Sequence, residues 1–88
     1  MASKRHLATI SILLLDRQSQ AIDLQQILTE SGHMIMARLG VNVQPKCVEN
    51  CTGMIVLAID GSLTEIKALA KKIDKIYGVV AKLSILSK

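Results

Sequence analysis

The stretch Met54-Ile-Val-Leu-Ala-Ile-Asp-Gly-Ser-Leu-Thr-Glu65 carries a strand, a turn and the start of a helix. Met54 to Ile59 is an unbroken aliphatic and β-branched run and reads as a strand. Asp60-Gly61 is a turn pair that ends it. Ser62 and Glu65 stand at the spacing of a capping box. The serine hydroxyl then accepts from the Glu65 amide, and the glutamate reaches back to the serine amide. The helix so started has Ile66, Leu69, Ala70, Ile73 and Tyr77 as its apolar stripe, and Gly78 ends it. Val79 to Leu86 supplies another strand.

Upstream, the same reading gives strand, helix, strand. His6 to Leu15 is β-branched or aliphatic, and Asp16 is suited to capping the following helix. Arg17 to Ser31 places Ala21, Leu24, Ile27 and Leu28 at spacings of three and four, and Gly32 stands where a helix C-terminus takes a left-handed residue. His33 to Val43 reads as a strand with Ile35, Ala37 and Leu39 on one face, Met34, Met36 and Arg38 on the other, and a bulge or bend at Gly40. Gln44 to Gly53 has no sustained periodicity and reads as a hairpin connection. The order βαββαβ predicts an α+β, ferredoxin-like fold over residues 1–88 as a single domain, with a four-stranded antiparallel sheet and two helices on one face.

Alternation along the strands then assigns the two sheet faces. Ala8, Ile10, Ile12, Leu14, Ile55, Leu57, Ile59, Val79, Ala81, Leu83 and Ile85 fall on the face given to the helices. The other face receives Leu7, Thr9, Ser11, Leu13, Met54, Val56, Ala58, Val80, Lys82, Ser84 and Leu86. It is too apolar to be left in water, so a homo-oligomer is expected, with Leu13, Met54, Val56, Ala58 and Val80 as its interface.

Length and composition narrow the function. With 88 residues there is material for one core, and the 50% hydrophobic and 20% charged content is that of a folding chain. The chain has no Phe or Trp and only Tyr77 as an aromatic, so base stacking on sheet aromatics, as in RNA-recognition domains, is excluded. A net charge of +4 permits an acidic partner, but the cations are spread over both termini and one helix. No direct nucleic-acid binding is expected. The apolar run from Leu7 to Leu15 is interrupted by Thr9 and Ser11 and is too short to span a bilayer, and no cleavage site follows it. A cytoplasmic chain without membrane attachment is expected.

Candidate chemistry is sparse. Cys47-x-x-x-Cys51, with His33 or His6, could hold a metal or cluster through thiolate and imidazole ligands, but two cysteines in one loop lack the repeated tight pairs of zinc knuckles. They are expected to be free thiols in a surface connection. His6 and His33 have no nucleophile at a recognisable spacing. Arg17 and Asn42 resemble the acylphosphatase pairing, yet the glycine-rich phosphate turn is absent, and the loop after the first strand lacks the CxxC of copper chaperones. Lys67, Lys71, Lys72 and Lys75 make one helix basic, as solvated helices often are. No cofactor is required by the residues, and no enzymatic activity is expected.

Arg38-Leu-Gly-Val-Asn-Val43, Ile55-Val-Leu-Ala-Ile-Asp-Gly61 and Glu65-Ile-Lys-Ala-Leu-Ala-Lys-Lys-Ile-Asp-Lys-Ile-Tyr-Gly-Val79 resemble the iron-only hydrogenase system regulator family, whose members are related to ACT-like and nickel-regulator ligand-binding domains. The resemblance runs from the first strand to Val80-Ala-Lys-Leu-Ser-Ile85. It departs at Asn42, where the family often has proline, and in the loop carrying Cys47 and Cys51. It implies a regulatory or accessory role in hydrogenase assembly, with another regulatory or maturation protein as partner, and carries over no catalytic or metal residue. A DNA-binding element is not expected before the first strand. The leading expectation is a non-enzymatic, ligand- or partner-binding oligomer. Its rivals are an ACT-type amino-acid or metabolite-binding domain, a metal or iron–sulfur handling protein using Cys47 and Cys51, and a small hydrolase.

Overall fold

A computed structural model describes residues 4–15, 17–42 and 52–87. Their order is β1 (His6–Leu14), α1 (Arg17–Glu30), β2 (Ile35–Asn42), β3 (Gly53–Gly61), α2 (Leu63–Asp74) and β4 (Val79–Ile85). The strands form one antiparallel sheet in the order β2-β3-β1-β4, the ferredoxin-like arrangement expected from βαββαβ.

The core sits between the helices and one sheet face. Ala8, Ile10, Ile12 and Leu14 of β1, Leu57 and Ile59 of β3 and Val79 of β4 are buried against Leu24 and Leu28 of α1 and Ile66, Leu69 and Ile73 of α2. Ile27, Ile55, Ala70, Ala81 and Leu83 pack half-buried at its border. This is the face that alternation assigns to the helices. The capping box at the start of α2 is present in both halves: Glu65 N donates to Ser62 Oγ over 3.2 Å, and Ser62 N donates to Glu65 Oε1 over 3.4 Å.

Several expectations are corrected. Asp60 and Gly61 do not turn away from the sheet; they remain in β3, opposite Leu7 and His6. The Arg5 guanidinium donates from Nε to Asp60 Oδ1 over 3.1 Å and from Nη2 to the Asp60 carbonyl over 2.7 Å. These bonds hold the start of β1 along β3. Tyr77 does not continue the α2 stripe, because the helix stops at Asp74 and the tyrosine is exposed. Gly32 takes no left-handed conformation. The turn after α1 is closed by Met34 N donating to the Ser31 carbonyl and Ile35 N to the Gly32 carbonyl. The one positive-φ glycine among the described residues is Gly78, at φ 79°. Ala21, placed in the α1 stripe, is exposed.

The bulge in β2 lies at Met36, not at Gly40. Ile35 pairs with Ile59 and Ala37 with Ala58, so two steps on β2 face one on β3. The extra residue reverses the alternation. Ile35 stays on the helix side, Ala37 and Leu39 move to the opposite face with Ala58 and Val56, and Arg38 pairs with Leu57 on the helix side. Met34 is buried in the core rather than sharing a face with Met36 and Arg38.

Candidate functional site

The face of the sheet away from the helices has a graded chemistry that follows from register. Val41, Met54, Leu13 and Val80 pair across all four strands. The next row is Leu39, Val56, Ser11 and Lys82, and the third is Ala37, Ala58, Thr9 and Ser84. Polarity therefore rises from the β2–β3 side toward β4 in the second and third rows, while the first row is wholly apolar. Among the described side chains of this face, the charges are Lys82 at one border and Asp60 at another, the latter joined to Arg5.

The sequence-assigned interface residues come together there. Leu13, Val56 and Ala58 are half-buried by their sheet neighbours, while Met54 and Val80 are 38% and 40% exposed. Leu39, at 63% exposure, belongs to the same patch and was missed, because the face of β2 depends on the Met36 bulge and a residue run carries no clear mark of it. A strand edge next to this patch is also protected: Asp74 Oδ1 accepts from the Ala81 amide of β4 over 3.2 Å.

His33, the histidine considered as a ligand, is engaged with helix α2. Its Nε2 lies 3.2 Å from Glu65 Oε2, an exposed pair that holds the Glu65 carboxyl below its ordinary value of 4.5. The His33 contact is the largest cause, followed by the Ser62 hydroxyl and amide. Cys47 and Cys51 lie outside the described residues, as does the expected Asp16 cap. Among the described residues no group of three or more His, Cys, Asp or Glu side chains is placed to hold a metal ion. His6 Nδ1 lies 2.9 Å from the Ser87 carbonyl, joining the first strand to the segment after β4.

A cavity of about 290 Å³ lies between α1 and the edge strand, with Gln25, Leu28, Thr29, Ile35, Met36 and Arg38 in its lining. It combines apolar walls with one guanidinium, the general composition of a site for a small anion-bearing molecule. No helix among the described residues is long and apolar enough to cross a membrane.

The model of the TM1266-like family, described as "Iron-only hydrogenase system regulator, putative", matches residues 6–83. The chain belongs to the TM1266-like family. The TM1266-like match spans all six elements up to the middle of β4, including the rows that build the apolar patch. Among solved structures, the uncharacterized protein TM1266 from Thermotoga maritima superposes with a TM-score of 0.84 at 25% identity, covering 96% of this chain and 100% of that one. A nitrogen regulatory PII-like protein, CPII from Thiomonas intermedia K12, solved with ADP and bicarbonate, has a TM-score of 0.55 at 13% identity and covers 99% and 95% of the two chains. A dinuclear metal-binding peptidase of the M20 family from Bacillus subtilis gives 0.58 at 11% identity, and the chain spans only 26% of it. At such identities the last two share the fold with this TM1266-like chain and nothing finer. No curated protein matches it.

Proposed function

We propose that this chain is a non-enzymatic, cytoplasmic regulatory module of an iron-only hydrogenase system that works as a homo-oligomer joined through the open face of its sheet. The observation that carries this reading is the row Met54–Leu13–Val80 with Leu39 and Val56 beside it, an apolar and uncharged half of a face that no helix covers. Two helices occupy the other face, so nothing within the described residues shields these side chains. Burying them recovers about 25 cal/mol per Å² of apolar surface. A second copy meets this surface with the same surface about a twofold axis. Because Lys82 and the Asp60–Arg5 pair sit at its borders, two copies pack without opposing like charges at the centre. Family membership supports the regulatory role.

The test is the mass in solution of the wild type and of Val56→Asp at tens of micromolar, by light scattering, with circular dichroism as the folding control. The wild type is an oligomer, and Val56→Asp is a folded monomer. A monomeric wild type, or an oligomer that survives the substitution, overturns the reading.

A second reading, a metabolite-binding module, is favoured by the cavity between α1 and β2 with Arg38 in its lining. It is tested by titrating metal-free protein with amino acids and short carboxylates while following the amides of Thr29 and Arg38 by NMR. Absence of any saturable shift removes it.

A further inference from the structure

We propose that the α2–β4 turn, with Tyr77 at its tip, is a second interaction surface and docks an acidic protein partner. Tyr77 is the only aromatic residue in the chain, and it is 95% exposed. A chain that spends its one aromatic on solvent gains nothing from it in the core. Tyrosine on a surface is valuable where it is covered by a partner, since aromatic anchors dominate binding energy at interfaces.

The backbone beneath the ring is fixed from both sides. Gln20, buried in α1, donates from Nε2 to the Tyr77 carbonyl over 2.7 Å. Leu15 N donates to the Gly78 carbonyl over 3.1 Å, and Val79 N to the Ile76 carbonyl over 3.0 Å. Gly78 completes the turn at a φ of 79° that other residues rarely adopt. A side chain presented on so constrained a turn loses little backbone freedom on binding, the property that makes an anchor effective. The Leu15–Gly78 bond also brings a second exposed apolar residue, Leu15, to the same tip.

Charge selects the partner. Lys71 and Lys72 fill the last turn of α2, and Lys75 follows it, all exposed. The nearby acid, Asp74, accepts from the Ala81 amide. A second copy would bring the same lysines against these, whereas an acidic protein surface complements them and steers its own approach. Single-stranded nucleic acid binds by stacking successive bases on several aromatics, and this surface offers one.

Tyr77 is also the sole intrinsic fluorophore of the chain, so its emission reads this surface directly. The 88-residue chain is titrated with a short peptide alternating Glu and Leu, and in parallel with a Lys/Leu peptide, an oligothymidine and phosphatidylglycerol vesicles. The acidic peptide alone gives a saturable change in tyrosine emission, and the Lys71→Glu, Lys75→Glu variant weakens it several-fold. Tyr77→Ser keeps the wild-type melting temperature and abolishes the peptide-induced NMR shifts at Lys75 and Gly78. Silence toward the acidic peptide, an equal or stronger response to oligothymidine or vesicles, or NMR shifts that persist in Tyr77→Ser overturn the proposal.

Discussion

The side chain of Gln20 lies against Gly78 so closely that a Cβ at residue 78 would collide with Nε2, and the same Nε2 holds the Tyr77 carbonyl. Helix α1 and the α2–β4 turn are thereby locked together through a position that only glycine fills. Gly78→Ala meets two costs. The left-handed backbone disfavours alanine by about 1–2 kcal/mol, and the displaced amide loses a hydrogen bond worth on the order of 1 kcal/mol. Chemical denaturation should show a loss of about 2–3 kcal/mol for Gly78→Ala. In the double variant with Gln20→Ala the collision is gone, so its loss falls short of the sum of the two single losses. Simple additivity would show that the two residues do not meet.

The capping box gives a smaller, local effect. Ser62→Ala removes the acceptor of the Glu65 amide at the first turn of α2 and should cost on the order of 1 kcal/mol. Urea titration reads it. An unchanged midpoint would mean that the Ser62–Glu65 bonds do not hold the helix start.

Glu65 also makes a pH-dependent contribution. Its carboxyl is lowered in the folded state, first by His33 and then by Ser62, so the ionised form is favoured by folding. The stability it supplies is present above its unfolded value and is lost as pH falls through the still lower folded one. Stability should therefore decline below about pH 4.5, and Glu65→Gln should flatten that decline. His33→Ala removes the leading cause, so the Glu65 carboxyl, followed by NMR, should titrate at higher pH than in the wild type. An unmoved Glu65 titration would contradict the role given to His33.

What could be read from the residues alone followed their periodicity. Strict alternation in β1 separates Ile10 and Ile12 from Ser11 and Leu13, and the spacing of Ser62 and Glu65 marks the helix start, because local backbone geometry decides both. The misplacements have a common cause: they concern features set by contact between distant segments. Asp60-Gly61 has turn composition but is held in β3 by pairing with Leu7 and His6 and by Arg5. Gly32 and Gly78 look alike after a helix, and only Gly78 takes a positive φ, with Gln20 filling the space that a Cβ there would need. Tyr77 continues the α2 stripe in spacing, but the helix ends before it, which leaves the ring in solvent. On the open face of the sheet, Leu13, Met54, Val56, Ala58 and Val80 were legible from alternation, whereas Leu39 depended on a bulge that tertiary pairing creates.

That bulge yields a sharper test of the face assignment. Ile35 pairs with Ile59 and Ala37 with Ala58, so Met36 is the supernumerary residue of β2, and its side chain is exposed. Deleting Met36 leaves Ile35 opposite Ile59 and Ala37 opposite Ala58, with Leu39 still beside Val56. The deletion should fold, melt within a few degrees of the wild type and keep its state of association. Deleting Arg38 removes a residue from the regular part of the ladder. With Ala37 still opposite Ala58, Leu39 is then brought opposite Leu57 on the helix side and Gly40 opposite Val56, since a slip of one residue sends every following side chain to the other face. The Arg38 deletion should therefore lose both stability and self-association, although Arg38 is exposed and, like Met36, contributes little to the core. Thermal melts and light scattering on the two deletions compare them directly. Equal behaviour of the pair would show that Met36 is not the bulged residue and that Leu39 does not belong to the open face.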